Sequence, residues 1–149
     1  MVSILDSLGY RARLEAVDPS TYFNRVLDSR VRAQTGYYGW FAEYPSAANF
    51  IPPQFSCAAF VPASPQQSTN PSGFCDRSID AQMARAAAVQ AQDPAAATVL
   101  WQQVEQAILA QAPVVPTYNR RNVDFVSKRV GNYQYNPQWG LLLDQAWVK

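Results

Sequence analysis

The stretch RARLEAVDPSTYFNRVLDSRVRAQTGYYGW, residues 11 to 40, decides how the chain reads. In RARLEAV, Ala12, Leu14 and Ala16 alternate with Arg11, Arg13 and Glu15, the period-two pattern of a strand with one buried face. Asp18-Pro19 then offers a helix N-cap followed by proline at the first helical position. Tyr22, Phe23, Val26 and Leu27 fall on one helical face. From about Val31 to Trp40 the chain reads as a second strand. Strand, helix and strand at this spacing predict a βαβ unit, a parallel pair joined by a right-handed crossover, and an α/β fold class.

The second strand ends in a dense aromatic run. Tyr37, Tyr38, Trp40 and Tyr44 surround Gly36 and Gly39, with Glu43 as the lone carboxylate and Tyr44-Pro45 at a helix start. In open α/β sheets, ligands settle beyond the carboxyl ends of the strands. Glycines there let a ligand or another surface approach the backbone, and Tyr and Trp supply broad contact area with a polar handle. A single acid in that setting pairs with a ligand cation such as an amine. The competing reading makes the aromatics core and leaves Glu43 solvated near a helix N-terminus, where negative charge is favoured.

Outward from this region, Val2–Leu8 reads as a short apolar helix end stopped by Gly9. Residues 56 to 74 are rich in Ser, Pro, Gln and Asn, and Cys57 and Cys75 stand at that loop's two ends. An even pair flanking a polar loop suggests a disulfide, two unpaired thiols being the alternative. Asp76 or Ser78 opens a helix with Ile79, Met83, Ala86 and Ala87 facing inward. Asp93-Pro94 repeats the cap chemistry, and the helix behind it carries the stripe Ala97, Leu100, Trp101, Val104, Ile108 until Pro113 ends it. Both helices read as packing elements. PVVPTYNRRNVDFVSKRV, residues 113 to 130, reads as extended, with Val123 and Phe125 alternating against Asp124. The closing NPQWGLLLDQAWVK contains an apolar run that needs a sheet or core to cover it.

Composition narrows the function classes. The 149 residues are 48% hydrophobic and 15% charged, which is globular material of one-domain size. The net charge is +1, and the cations are scattered, so nucleic acid is not an expected partner. Histidine is absent, which removes the commonest general base, the Ser-His-Asp arrangement and most zinc sites. No CxxC pair and no glycine-rich phosphate loop follow to replace it. A pairing of Glu43 with Asp76, Asp80 or Asp124 has no support in their spacing. The expectation is therefore a non-enzyme without cofactor or metal. The opening MVSILDSLGY has no basic segment and places Asp6 inside its apolar stretch, unlike a signal peptide. That start reads as cytosolic, whereas a cysteine pair favours an oxidising compartment.

One ordered set of short motifs changes the picture. GWFAEYPSAANF (39–50) is close to a G-W-x-A-D-Y-P-x-P-x-x-F pattern, with Glu43 in place of the Asp and Ala47 in place of the second Pro, and LGY (8–10) precedes it. Asp80 and Ala86, then Trp101 and Glu105, then APVVP (112–116), VGNYQYNP (130–137) and the apolar run Leu141–Val148 follow in order. In this order the chain resembles the C-terminal part of family 5 extracellular solute-binding proteins, the peptide, dipeptide and nickel receptors of ABC importers.

The resemblance implies part of the second lobe of a class II periplasmic-binding-protein-like clamshell. Residues 1–112 then belong to that lobe, and 113–149 form the segment that crosses back to a first lobe, with the terminal strand. It implies a peptide or other small solute as ligand, an ABC permease as partner, a lipoprotein parent and work outside the cytoplasmic membrane, where a Cys57–Cys75 bridge is at home. By the same resemblance Tyr38, Trp40, Glu43 and Tyr44 line the ligand cleft, and Tyr118 and Asn119 reach it from the crossing segment. The family's Asp at the position of Glu43 often holds a peptide α-amino group; here the side chain is one methylene longer. The alternative is a stand-alone interaction module whose uncovered aromatics self-associate.

Overall fold

Two aspartates open the two long helices of the chain. In the computed structural model, which describes residues 1–119, 121 and 123–149, the helices are α1 (Val2–Ser7), α2 (Tyr22–Leu27), α3 (Ala47–Phe50), α4 (Pro52–Phe55), α5 (Arg77–Gln90) and α6 (Pro94–Ala110). Four two-residue strands follow: β1 (Val130–Gly131), β2 (Tyr135–Asn136), β3 (Gly140–Leu141) and β4 (Trp147–Val148). The Asp76 carboxylate accepts from the backbone N–H of Ser78 at 2.8 Å and of Ile79 at 3.3 Å, which starts α5. Asp93 accepts from Ala96 N–H at 2.9 Å, and Pro94 takes the first position of α6.

These two helices hold the buried core. Ile79, Met83 and Ala86 of α5 face Ala97, Trp101, Val104 and Ile108 of α6. Each large side chain there contributes about 1.5–3 kcal/mol by leaving water. Ala87, expected inward, is exposed. It lies eight residues after Ile79, rotated past the stripe that Met83 and Ala86 continue, and α6 covers only that stripe. Leu100 is half-buried and packs against the core, as do Ile51, Phe55 and Phe74. Polar bonds lock the pair: Gln111 Nε2 at the end of α6 donates to the Asp76 carboxylate at 2.7 Å. The Trp101 indole N–H donates to Gln90 Oε1 at 3.0 Å, and Gln90 Nε2 donates to Ser46 Oγ at 2.7 Å. Ser46 in turn caps α3 by accepting from Ala48 N–H at 3.2 Å. Helix α6 stops where Ala112 takes a positive φ of 51° before Pro113.

The N-terminal region forms its helices but not its sheet. Gly9 stops α1 with φ 88°, its N–H donating to the Asp6 carbonyl and the Tyr10 N–H to the Leu5 carbonyl, both inside a Schellman closure. Asp18 does not cap α2. Its carboxylate accepts from Ser20 N–H at 2.8 Å in a turn that the Thr21 N–H closes onto the Asp18 carbonyl, so α2 begins at Tyr22 behind Thr21. Neither 11–17 nor 31–40 is a strand, and the βαβ unit expected over 11–40 is absent from the described residues. Local side chains take groups that a ladder needs. The Asp6 carboxylate accepts the Ala12 N–H at 3.0 Å, and the Tyr22 hydroxyl donates to the Tyr37 carbonyl at 2.6 Å. Residues 29–31 are a turn of 3-10 helix rather than a strand start.

Residues 113–129 form no helix or strand among those described, and within that span Arg120 and Asn122 lie outside the described residues. The terminal apolar run does find partners. β4 pairs antiparallel with β1, Val148 opposite Val130, and β3 pairs antiparallel with β2, Leu141 opposite Tyr135. Gly131 is needed for the first pair, because a Cβ there would lie 2.2 Å from the Trp147 ring.

Cys57 and Cys75 are joined in a disulfide with Cα atoms 4.4 Å apart. The loop it closes docks on α5, the Cys57 N–H donating to Asp80 at 3.1 Å. Inside the loop, the Ala59 carbonyl accepts from Thr69 N–H, Asn70 N–H and Ser68 Oγ. Buried Asn70 donates to the Phe74 carbonyl at 2.8 Å and accepts from Ser72 Oγ at 2.8 Å.

Closing a loop of this length stabilises by about 3 kcal/mol. Replacing both cysteines by serine is expected to lower the unfolding free energy by about that amount, read from urea denaturation, with α5 and α6 still helical by circular dichroism.

Asp76 generates an acid-side expectation. Its hydrogen bond from Gln111, and then those from Ser78, hold its carboxyl at about 2, below the usual 3.8. The folded value is the lower one, so the carboxylate contributes stability above about pH 4 that is lost as pH falls toward about 2. Asp76→Asn keeps a capping side chain without the titration. Its melting temperature is expected to fall less than that of the wild type between about pH 5 and pH 2.

Candidate functional site

Aromatic rings from α2 and from the segment after it meet in a short ladder. The Tyr38 and Trp40 rings stack with centroids 6.4 Å apart and planes 22° from parallel. Phe23 meets Tyr38 edge-on at 6.0 Å, and Tyr22 meets Phe23 edge-on at 5.5 Å. In extended backbone, alternate residues share a side, which puts Tyr38 and Trp40 together, and α2 presents Tyr22 and Phe23 to them. The Tyr38 hydroxyl donates to the Thr69 carbonyl of the disulfide loop at 3.1 Å. Burial pushes the Tyr38 phenol above its ordinary value of 10.0. The Trp40 indole N–H is buried and has no acceptor among the described residues. An unpaired buried donor of this kind costs about 1–3 kcal/mol until an acceptor reaches it.

The two glycines have different surroundings. A Cβ on Gly36 would lie 2.9 Å from the Tyr22 hydroxyl, so its vacancy admits this chain's own Tyr22. At Gly39 the nearest contact, the Tyr37 hydroxyl at 3.5 Å, is ordinary.

From the far end of the chain Tyr118 meets Tyr37, next to the ladder in sequence, with the two hydroxyls 3.3 Å apart. Asn119 beside it is exposed. Glu43 and Tyr44 are exposed and serve a different structure. Asn49 Nδ2 donates to the Glu43 carboxylate at 2.9 Å, and Asn49 Oδ1 accepts the backbone N–H groups of Glu43 and Tyr44. This clasp folds the chain into the start of α3. Glu43 therefore has a local partner, and no hydrogen bond or ring contact connects it, Tyr44 or Asn119 to the Tyr38–Trp40 stack among the described residues.

Of the six expected ligand-binding residues, the structure brings Tyr38 and Trp40 together, while Tyr118 meets Tyr37, which is not one of the six. Sequence reasoning missed Asn49, a polar residue that is buried, and the Tyr22–Phe23 edge of the ladder. Asn49 stands at i+6 from the carboxylate it holds, a spacing that belongs to no standard local motif. Phe23 was legible as a helix-face residue, but its face turns to aromatic rings and half of it remains exposed.

Two shallow clefts lie elsewhere. One of about 160 Å³ runs between α2 and the disulfide loop, lined by Leu27, Arg32, Phe60 and Asn70 among others. The second, about 270 Å³, lies between Pro45 and the Asn136–Trp139 turn. Both are smaller than the roughly 300–1,000 Å³ usual for enclosed ligand sites. No group of three or more His, Cys, Asp or Glu among the described residues is placed to hold a metal ion. Comparison with protein-family profiles, with curated proteins and with solved structures returns no match.

Asn49→Ala is expected to destabilise the chain by about 1–3 kcal/mol in urea denaturation, since it strands the Glu43 and Tyr44 N–H groups together.

Proposed function

We propose that this chain is the solute-binding part of an ABC importer receptor, with peptides as the solute class. The observation that carries the reading is the Tyr38–Trp40 stack with its unpaired indole N–H. A flat apolar face beside a lone donor suits a peptide unit, which offers a carbonyl acceptor and adjoining hydrocarbon. The ordered motifs from GWFAEYP to VGNYQYNP support the same assignment. On this reading Tyr118 contributes from the segment after α6, and Glu43 acts on the shape of the chain entering α3 rather than on the ligand amine. The Cys57–Cys75 bridge suits a receptor working outside the cytoplasmic membrane, beside its permease.

The small size of the clefts makes weak binding the expectation for the chain by itself. A mixed tripeptide pool at about 1–10 mM is expected to shift the Trp40 indole N–H signal in a ¹H–¹⁵N spectrum, that signal being assigned by its disappearance in Trp40→Phe. The Trp101, Trp139 and Trp147 signals are expected to stay in place. No shift at Trp40 up to that concentration, or an affinity tighter than about 1 μM for this chain alone, overturns the reading.

A further inference from the structure

The cleft between α2 and the disulfide loop has walls that are tied to each other. From the loop, the Ala63 N–H donates to Ser29 Oγ, just past α2, at 2.9 Å. Val26 and Leu27 on one wall and Phe60 and Pro71 on the other give the cleft apolar surface. Its polar groups are unequal. Asn70 is engaged at both ends, by the Phe74 carbonyl and by Ser72 Oγ. The Asp28 carboxylate is held by the Arg30 guanidinium, at 2.9 Å from Nε and 2.7 Å from a terminal nitrogen, so its charge is matched. Ser29 Oγ accepts from Ala63, while its own proton has no acceptor among the described residues. The Arg32 guanidinium, also in the lining, has neither an ion pair nor a hydrogen bond among them. Its backbone stands in the left-handed region, φ 52° and ψ 43°. Glycine or asparagine takes that conformation at lower cost. The turn itself therefore does not ask for arginine.

We propose that this cleft is a binding site for a small monocarboxylate that carries one apolar group. Size limits the group: the cleft holds about 160 Å³, and an engineered cavity of about 150 Å³ accommodates benzene. One ring, or a branched chain of about four or five carbons, is the scale that fits. Charge selects the head. A planar guanidinium without a partner takes a carboxylate through two parallel N–H···O bonds, and the Ser29 hydroxyl has a proton to add. An amine finds no unmatched acid in the lining, because Arg30 already holds Asp28. A bare inorganic anion would satisfy Arg32 but leave Val26, Leu27 and Phe60 without an apolar partner. The site is separate from the Tyr38–Trp40 stack, and the inference does not depend on the solute reading.

Titration of the full chain with benzoate at constant ionic strength, followed in ¹H–¹⁵N spectra, tests it. Benzamide and benzylamine serve as the neutral and cationic counterparts. Saturable shifts are expected at the backbone amides of Ala33 and Gly73, both in the lining, and at the Arg32 Nε–H. A Kd of about 1–10 mM is the scale for a ligand of about nine non-hydrogen atoms. Benzamide and benzylamine are expected to bind at least about tenfold more weakly. Arg32→Gln is expected to weaken benzoate about tenfold and to leave benzamide unchanged. The benzamide comparison reads the same charge without any substitution. Absence of a saturable shift at Ala33 and Gly73 up to about 50 mM benzoate overturns the proposal. Equal affinity for the three probes overturns it too, as does undiminished benzoate binding by Arg32→Gln. So does a benzoate response at the Trp40 indole N–H with none at Gly73. The peptide titration is read at Trp40, so failure of either reading leaves the other measurable.

Discussion

The contact between α5 and α6 is the one place where the described chain removes an unbroken apolar stripe from water, and the other elements are fastened to it by polar links. Ile79, Met83 and Ala86 meet Ala97, Trp101, Val104 and Ile108. Gln90 takes the Trp101 N–H and passes the connection to Ser46, which starts α3. Asp80 holds the head of the disulfide loop, and that loop offers the Thr69 carbonyl to Tyr38. The aromatic ladder is thus positioned from a helix pair several links away. Its geometry is only as firm as those single hydrogen bonds, each worth about 1 kcal/mol net.

The helices were legible because their information is local. A cap at Asp76 or Asp93, a proline at the first position and a period of three to four apolar residues act within a few positions of one another, and α5 and α6 follow from them. Gly9 reads correctly for the same reason, since a positive φ at a helix end is a property of one residue. The strands expected at 11–17 and 31–40 depend on partners that no local pattern specifies. Alternation in RARLEAV says which side is apolar, not what lies against it. In the absence of a neighbouring ladder, Asp6 and Tyr22 claim backbone groups first. The terminal run shows the converse, for its partners β1 and β2 lie within twenty residues and the pairs form.

Site residues divide along the same line. Tyr38 and Trp40 come together because alternate positions of an extended segment share a side. Tyr118 meets Tyr37 rather than the stacked pair, and it gets there through the course of the chain after α6, which its own neighbourhood does not encode. Glu43 illustrates the limit of charge as a clue. A lone carboxylate among rings invites a cationic ligand, yet an amide six residues on satisfies it and the adjoining backbone at once. The competing expectation of a solvated acid near a helix start describes its exposure well and omits that clasp.

The disulfide loop fixes its course largely with main-chain atoms. Three donors converge on one acceptor, the Ala59 carbonyl. Every amino acid carries that carbonyl, so sequence drift at position 59 cannot delete it. Asn70 is the opposite case, a buried amide whose donor and acceptor ends are both engaged. Over generations such a loop is free to vary in most of its surface side chains while holding its shape. Variation in this region is therefore expected to spare position 70 and the spacing between the cysteines. A loop of that kind can change what it displays to a neighbour without changing how it sits.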